Sequence, residues 1–341
     1  MIEIGGYRIK RPQFIIFTDK DGTLNLEDKQ LNHIFHLVDT MGGMVIPVTG
    51  RTVGDVEESI KIQKVKMPEI IIGDNGANIY FTKNHTFLVK KQLEHGKVLA
   101  IIEEFLKNAG DKDYIRYTDG ANIYASRQKE VEDYYKKSNT VKLCDDIYKA
   151  IQQTDDITKI TLAGSKEQIQ KSAEFVNELD FWTDMDTTKF PKKKYQNYRL
   201  DIAQKDINKG EAVKWIVEQL KPRYGYVCVG NGYNDMSMFK AALDDGMMAA
   251  IMGNSSIELI QEVLQYCQDR KKGKVIVIPK DKDLANQYIL KEAKEFRRHI
   301  RTEERIKTEK RLPNVPRVKV KGIEQRNISR GTGLQKRNRD R

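Results

Sequence analysis

The stretch Phe14-Ile15-Ile16-Phe17-Thr18-Asp19-Lys20-Asp21-Gly22-Thr23-Leu24 decides how the chain is read. Its apolar run has the character of a buried parallel strand. It stops at two carboxylates spaced by one residue, followed by a glycine at which the backbone can leave the sheet. The acids therefore fall at the carboxyl end of a strand, the edge where an open α/β sheet binds its ligands. Taken alone, Asp-x-Asp-Gly-Thr reads equally as a turn or as a fragment of a calcium loop. Recurrence of the same layout further along the chain lifts it above those readings.

Working outward, residues 2–9 form a hairpin candidate broken at Gly5-Gly6. Residues 31–41 place Leu31, Ile34, Phe35, Leu37 and Val38 at helical spacing. A crossover helix of this kind returns the chain for a parallel partner, Met44-Val45-Ile46-Pro47-Val48, which ends in Thr49-Gly50-Arg51-Thr52. Pro47 argues against a regular central strand there. A helix is expected over 53–62, and a third strand, Glu69-Ile70-Ile71-Ile72, closes in Gly73-Asp74-Asn75-Gly76-Ala77. Much later, Asn208-Lys209-Gly210 precedes a helical pattern and puts Lys209 near a helix start. Tyr226-Val227-Cys228-Val229 then reads as another buried strand, ending in Gly230-Asn231-Gly232-Tyr233-Asn234-Asp235, and short strands follow at 248–252 and 275–278.

Between about residues 82 and 198 the pattern changes. Helical periods at 92–108, 129–135 and 166–179 alternate with short β-rich runs, as expected for an α+β module inserted into the first sheet. Lys189-Phe190-Pro191-Lys192-Lys193-Lys194-Tyr195 near its end reads as a solvated loop or as a phosphate-facing one.

Composition bounds the rest. A chain of 341 residues, 39% hydrophobic and 8% aromatic, has room for two cores. No apolar run reaches the roughly 18 residues a membrane span needs, and the first residues lack a signal-peptide layout, so the expected location is cytoplasmic, with no membrane partner. Cys144, Cys228 and Cys267 are isolated, which argues for reduced packing thiols and against a zinc site. The net charge of +11 is local: residues 291–341 hold 18 Lys and Arg against 7 Asp and Glu, and the first 290 residues balance at 42 of each sign. The basic segment starts as a helix over 284–310, is broken by Pro313 and Pro316, and reads as disordered beyond Arg317. It is either a solvated extension or a binder of nucleic acid, the ribosome or an acidic partner. The sequence leaves the oligomeric state open.

Three strand ends and one helix start thus carry chemistry. Asp19 and Asp21 offer a nucleophile and an acid/base; Thr49 offers a hydroxyl; Lys209 offers fixed positive charge; Asn231, Asn234 and Asp235 offer oxygen ligands. Each has a bland alternative: Lys209 as a solvated helix start, Asn234-Asp235 as an N-cap, Thr49 as a hydroxyl bonded to the backbone. Together they suit phosphoryl transfer, which needs in-line attack, charge neutralisation and a proton for the leaving oxygen. An oxygen-only ligand set suits Mg²⁺.

Asp19-Lys20-Asp21-Gly22-Thr23, Thr49-Gly50-Arg51, Lys209-Gly210 and Gly230-Asn231-Gly232-Tyr233-Asn234-Asp235 resemble the four ordered motifs of the haloacid dehalogenase superfamily of phosphohydrolases. The insertion between the second and third motifs is similar to that of the C2-capped branch, which includes Cof-type and sucrose-phosphate phosphatases. The resemblance implies an α/β fold: a Rossmann-like parallel-sheet core over 1–81 and 199–280, an α+β cap over 82–198, and a basic C-terminal extension over 281–341. It further implies Asp19 as nucleophile and Mg²⁺ ligand, and Asp21 as acid/base and as a ligand through its main-chain carbonyl. Thr49, Gly50, Lys209 and Asn234 would bind phosphate, and Asn231 with Asp235 would complete the metal side. The family usually carries Asp where Asn231 stands, so weaker metal binding is expected. The implied substrate is a small phosphorylated metabolite, a sugar phosphate by preference, read by cap residues among which Arg116, Tyr117, Lys192 and Lys194 are candidates. A nucleic-acid-associated phosphatase and a non-catalytic binding protein are the alternatives.

Overall fold

Phe14, Ile15, Ile16 and Phe17 are all fully buried, and they alternate between two separate cores. Ile15 and Phe17 pack with Val213, Ile216 and Phe239, while Phe14 and Ile16 pack with Leu31, Ile34 and Val38. A strand apolar on both faces needs helices on both faces, and this is what forces the layered α/β arrangement. The computed structural model describes residues 1–24, 31–110, 113–127, 138–188, 197–279 and 282–311. Residues 1–300 form one compact unit, and the described residues 301–311 belong to a second.

A hairpin of β1 (Ile2–Ile4) and β2 (Tyr7–Ile9) turns at Gly5 and Gly6. The central sheet is parallel and five-stranded. It comprises β3 (Phe14–Thr18), β4 (Gly43–Pro47), β14 (Tyr226–Gly230), β15 (Met248–Met252) and β16 (Lys274–Ile278), in the order β16-β15-β14-β3-β4. Pro47 is tolerated because β4 is the last strand of that order and Pro47 is its last residue. Helices α1 (Leu31–Thr40) and α2 (Val53–Ile62) pack on one side. On the other lie α6 (Lys209–Leu220), α7 (Met236–Asp244) and α8 (Ile257–Arg270). Antiparallel strands β5 (Ile70–Gly73), β6 (Asn78–Phe81) and β7 (Thr86–Lys90) form a small sheet, tied to the central one by the bridge Val48–Ile72.

The insertion is a six-stranded mixed sheet. Its strands are β8 (Tyr114–Thr118), β9 (Ile123–Ser126), β10 (Val141–Cys144), β11 (Lys159–Gly164), β12 (Phe181–Thr188) and β13 (Asn197–Gln204), in the order β10-β9-β8-β11-β13-β12. Helices α3 (His95–Leu106), α4 (Ile147–Gln152) and α5 (Lys166–Glu178) cover one face, burying Ile115, Tyr117, Ile160, Leu162 and Ile202. With a period of two, Arg116, Thr118, Lys159, Thr161 and Asp201 point to the opposite, polar face. The helix expected over 129–135 and the loop from Lys189 to Tyr195 lie outside the described residues.

The C-terminal helix α9 (Lys282–Arg311) departs from the solvated or partner-binding extension expected from residue 281. Tyr288, Ile289 and Ala293 are buried in the same core as Phe14 and Ile16, and the Phe296 ring stacks on Phe14 with centroids 4.6 Å apart. The overall basic composition concealed these apolar positions. No described helix is long and apolar enough to cross a membrane.

Candidate active site

The main chain leaves β3 with Asp19 N donating to Val229 O of the neighbouring β14, so the first acid starts at the seam between two parallel strands. From the end of β14 the chain turns back through residues 231–235. Asp235 Oδ2 accepts the backbone N–H of Asn231 and of Gly232 at 2.8 and 2.9 Å, which fixes the turn and points Oδ1 toward Asp19. Lys209, the first residue of α6, fills the gap. Its ammonium donates to Asp19 Oδ1 and to Asp235 Oδ1, both at 2.6 Å. The reading of Lys209 as a solvated helix start is excluded, since its exposure is 0%.

Gly210 makes this contact sterically possible. A Cβ there would stand 2.3 Å from Ser237 O, so α6 approaches the start of α7 only with glycine at that position. Gly22 has φ +80°, and a Cβ on it would lie 2.5 Å from Asn231 Nδ2. The turn carrying Asp21 is thus laid directly against the Asn231 amide, whose oxygen accepts from Thr23 Oγ1 at 3.2 Å.

Burial pushes the Asp19 carboxyl up to about 7, against the pull of the Lys209 ammonium. Burial also works against the charge of Lys209, but Asp19 and Asp235 outweigh it and hold the ammonium protonated. Asp21 is arranged differently. Arg51 Nε and a terminal guanidinium nitrogen grip its two oxygens at 2.7 Å each, while the other terminal nitrogen binds Asp55 at 2.9 Å. Burial would raise Asp21, and the Arg51 fork more than offsets it, holding the carboxyl below its ordinary range. Thr49 is buried and its Oγ1 accepts from Arg51 N at 3.2 Å, so its backbone-bonded role is real as well. Asn234 Nδ2 donates to Asn75 Oδ1 at 3.3 Å, and a Cβ on Gly50 would lie 3.0 Å from that same oxygen.

These groups open on a cleft of about 560 Å³ that Asp19, Asp21, Thr49, Gly50, Asn231 and Asn234 line from the core. Arg116, Thr118, Lys159 and Asp201 line it from the polar face of the inserted sheet. Burial would raise Asp201, but Lys159, Arg116 and Arg199 together hold it below its ordinary range, so the roof keeps an anion among cations. All the expected core residues therefore border or buttress one cleft. Arg116 does as well. Tyr117 does not: it lies on the opposite face of β8, stacked on Tyr124 with centroids 4.6 Å apart under the cap helices. Lys192 and Lys194 lie outside the described residues. Four further residues of the cleft carry no expected role: Arg51 and Asn75 stand within the strand-end motifs, and no local pattern marks Lys159 or Asp201.

The residues fit a hard divalent cation in kind. Two buried carboxylates share one ammonium, and the Asn231 amide, whose oxygen accepts from Thr23 Oγ1, lines the same cleft, so the oxygen donors are of the kind such a cation takes. Among the described residues no three His, Cys, Asp or Glu side chains gather as a metal cluster, so the set rests on Asp19 and Asp235 with a neutral Asn231 beside them.

Strand-end acids of a parallel-sheet α/β core facing an inserted α+β sheet across one cleft make this a capped, Rossmann-like fold. The chain belongs to the haloacid dehalogenase-like hydrolase family, whose sequence model matches residues 16–277. Its fold is that of solved relatives. A haloacid dehalogenase-like hydrolase from Bacteroides thetaiotaomicron is 18% identical with a TM-score of 0.59, over 81% of this chain and 97% of that one. TM0651 from Thermotoga maritima is 18% identical with a TM-score of 0.63, over 82% and 97%. BT4131, described as a subclass IIB sugar phosphatase, is 15% identical with a TM-score of 0.57, over 83% and 98%. No curated protein matches the sequence.

Proposed function

We propose that this protein is a phosphomonoester hydrolase that works through an aspartyl-phosphate on a small phosphorylated metabolite, with a sugar phosphate as the favoured class and Mg²⁺ as the metal. The observation that carries the reading is the meeting of Asp19, Lys209 and Asp235 at one strand edge beneath a polar roof. Family membership and the sugar phosphatase among the fold relatives support it.

In the proposed reaction a carboxylate oxygen of Asp19 attacks phosphorus in line with the ester oxygen. The P–O bond to the leaving group breaks, and Asp21 delivers a proton to the departing oxygen. Asp21 then takes a proton from water, whose oxygen attacks the same phosphorus; the bond to Asp19 breaks and free phosphate leaves. Lys209 and Thr49 would hold the transferring group, with Gly50 and Asn234 beside it. Asp21, held ionised by the Arg51 fork, must first leave Arg51 and take up a proton from solvent before it can serve the leaving oxygen. Asp19, Asp235, Asn231 and the Asp21 carbonyl would hold Mg²⁺, which supplies charge neutralisation on the phosphoryl oxygens.

The roof sets donors beside an acceptor (Arg116, Thr118, Lys159, Asp201), which suits a polyhydroxyl leaving group, and a closed cap disfavours a polymer end. We further propose that the cap runs from about residue 91 to 204, because β7 pairs with β6 on the core side while β13 stays in the six-stranded sheet through Gln204. A purified-protein screen against phosphorylated metabolites, with and without Mg²⁺, tests the function; no turnover with any ester, or turnover unaffected by Asp19→Asn, sinks it. The basic segment 291–341 favours one second reading, a nucleic-acid-associated phosphatase. Deleting the residues after Lys310 separates the two: retained turnover of small esters with loss of polynucleotide binding confines the segment to localisation.

A further inference from the structure

Thr49, Gly50 and Arg51 form the turn after β4 that the proposed reaction uses against phosphate, and each of their carbonyls is held from behind. Asn75 N donates to Thr49 O at 2.9 Å, and Asp74 N donates to Arg51 O at 2.8 Å. The middle carbonyl, Gly50 O, accepts instead from the Lys159 ammonium at 2.5 Å. Lys159 opens β11 of the inserted sheet, 109 positions away. A peptide unit is planar, so a fixed Gly50 carbonyl also fixes the direction of the Arg51 N–H on its other side.

The lysine is itself held. Its Nζ lies 3.2 Å from Asp74 Oδ1, and Asp74 is fully buried. Asp74 Oδ2 accepts from Asn78 Nδ2 at 2.8 Å and from the cap hydroxyls of Thr118 and Thr158 at 3.0 and 2.9 Å. Asp74 and Asn75 both adopt left-handed backbone, with φ +47° and +55°, a conformation non-glycine residues take only where their surroundings enforce it. One buried carboxylate therefore gathers three cap side chains, and its own backbone N–H and that of its neighbour hold the phosphate-facing turn.

We propose that Lys159 is a positioning residue through which the cap sets the Thr49–Arg51 turn, so that seating the cap and shaping the phosphate site are one event. The contacts of Lys159, Thr118 and Thr158 with Gly50 and Asp74 exist only with the cap seated on the core. A cap withdrawn from the core leaves Asp74 without the Lys159 charge and Gly50 O without its donor. The inference rests on the phosphatase reading for its kinetic consequence and on geometry alone for the coupling.

The test uses the full-length chain with Lys159→Gln and Lys159→Arg, a chromogenic phosphomonoester as substrate and inorganic phosphate as ligand. Lys159→Gln is expected to lower kcat roughly 10- to 100-fold, the scale of a slight misplacement at a reacting centre, with KM changed less. Lys159→Arg, which keeps a donor for Gly50 O, is expected to recover most of that loss. A raised KM with unchanged kcat would make Lys159 a substrate contact and overturn the positioning role, and so would unchanged kcat and KM in a folded variant. Hydrogen exchange at the Gly50 and Arg51 amides is read in parallel: Lys159→Gln should speed it, and inorganic phosphate should slow it less than in the parent. Unchanged exchange overturns the coupling even if the parent hydrolyses no ester, so failure of the phosphatase reading is told apart from failure of this one.

Discussion

The ammonium of Lys209 lies 2.6 Å from Oδ1 of Asp19, across 190 positions of sequence, and that single contact joins the start of α6 to the end of β3 in a fully buried setting. The same nitrogen serves Asp235 at the same distance, so two acids share one cation. Removing one partner of such a group leaves uncompensated charge in a buried place.

Lys209→Met should therefore destabilise the fold by about 3–5 kcal/mol, the scale for breaking a buried pair from one side. Combining it with Asp235→Asn should cost less than the sum of the single changes, because the second change removes one of the stranded charges. Urea denaturation of the two single variants and the double variant checks this. Strict additivity would mean that the three groups are not one unit.

In the proposed Mg²⁺ site Asn231 is the neutral member. An added carboxylate at about 4 Å supplies ~1 kcal/mol of attraction to a cation even at the dielectric of water, so Asn231→Asp should raise apparent Mg²⁺ affinity by a factor of about 5 or more. A magnesium titration of turnover reads it directly. No gain in affinity would remove Asn231 from the ligand set.

Asp21 is the proposed proton donor, and Asp21→Asn can neither give nor take that proton. A drop in kcat of roughly 10²- to 10⁴-fold is expected with the fold intact. Thermal unfolding run beside the kinetics separates the two effects, since the side chain is half-exposed and its pairing with Arg51 contributes little to stability. Full activity of the variant would move the acid/base role to another residue.

Helix α9 is part of the core up to Phe296. Ile289 is fully buried in the core that also holds Phe14, so Ile289→Ala should cost about 2–5 kcal/mol by leaving a cavity. A denaturation midpoint unchanged by this substitution would show that the helix does not dock.

Glu292 on the same helix gives a pH signature. Burial raises its carboxyl above the ordinary range, more than Tyr288 and the nearby lysines lower it. An acid raised in the folded state favours folding when protonated. Its favourable contribution is complete below the unfolded value, about 4.5, and is lost as pH rises through the higher folded value. Glu292→Gln should thus raise Tm at neutral pH, with the advantage shrinking toward pH 4. A constant difference across that range would mean that the carboxyl is not raised.

Much of this protein is legible along the chain. Phe14 to Phe17 followed by Asp19 specify a strand buried on both faces and acids at its end, because an apolar run without polar alternation can only sit between layers, and the run then stops. Lys209 and Asp235 could be named from their motifs for a similar reason: chemistry at strand ends and helix starts has local spacing. Tyr117 and Arg116 mark where this ends. Alternation separates them onto opposite faces of β8, but only helix packing decides which face is covered, and the covered one took the tyrosine. Lys159, which reaches Gly50 O, has no local mark at all, and Tyr288, Ile289 and Phe296 were hidden in a segment whose average is basic. Side-chain period, turn chemistry and strand termini follow from covalent geometry and near neighbours. Which buried charge meets which partner depends on how sheets and helices stack, and contacts made across 100 or more positions leave no trace in the spacing of either partner.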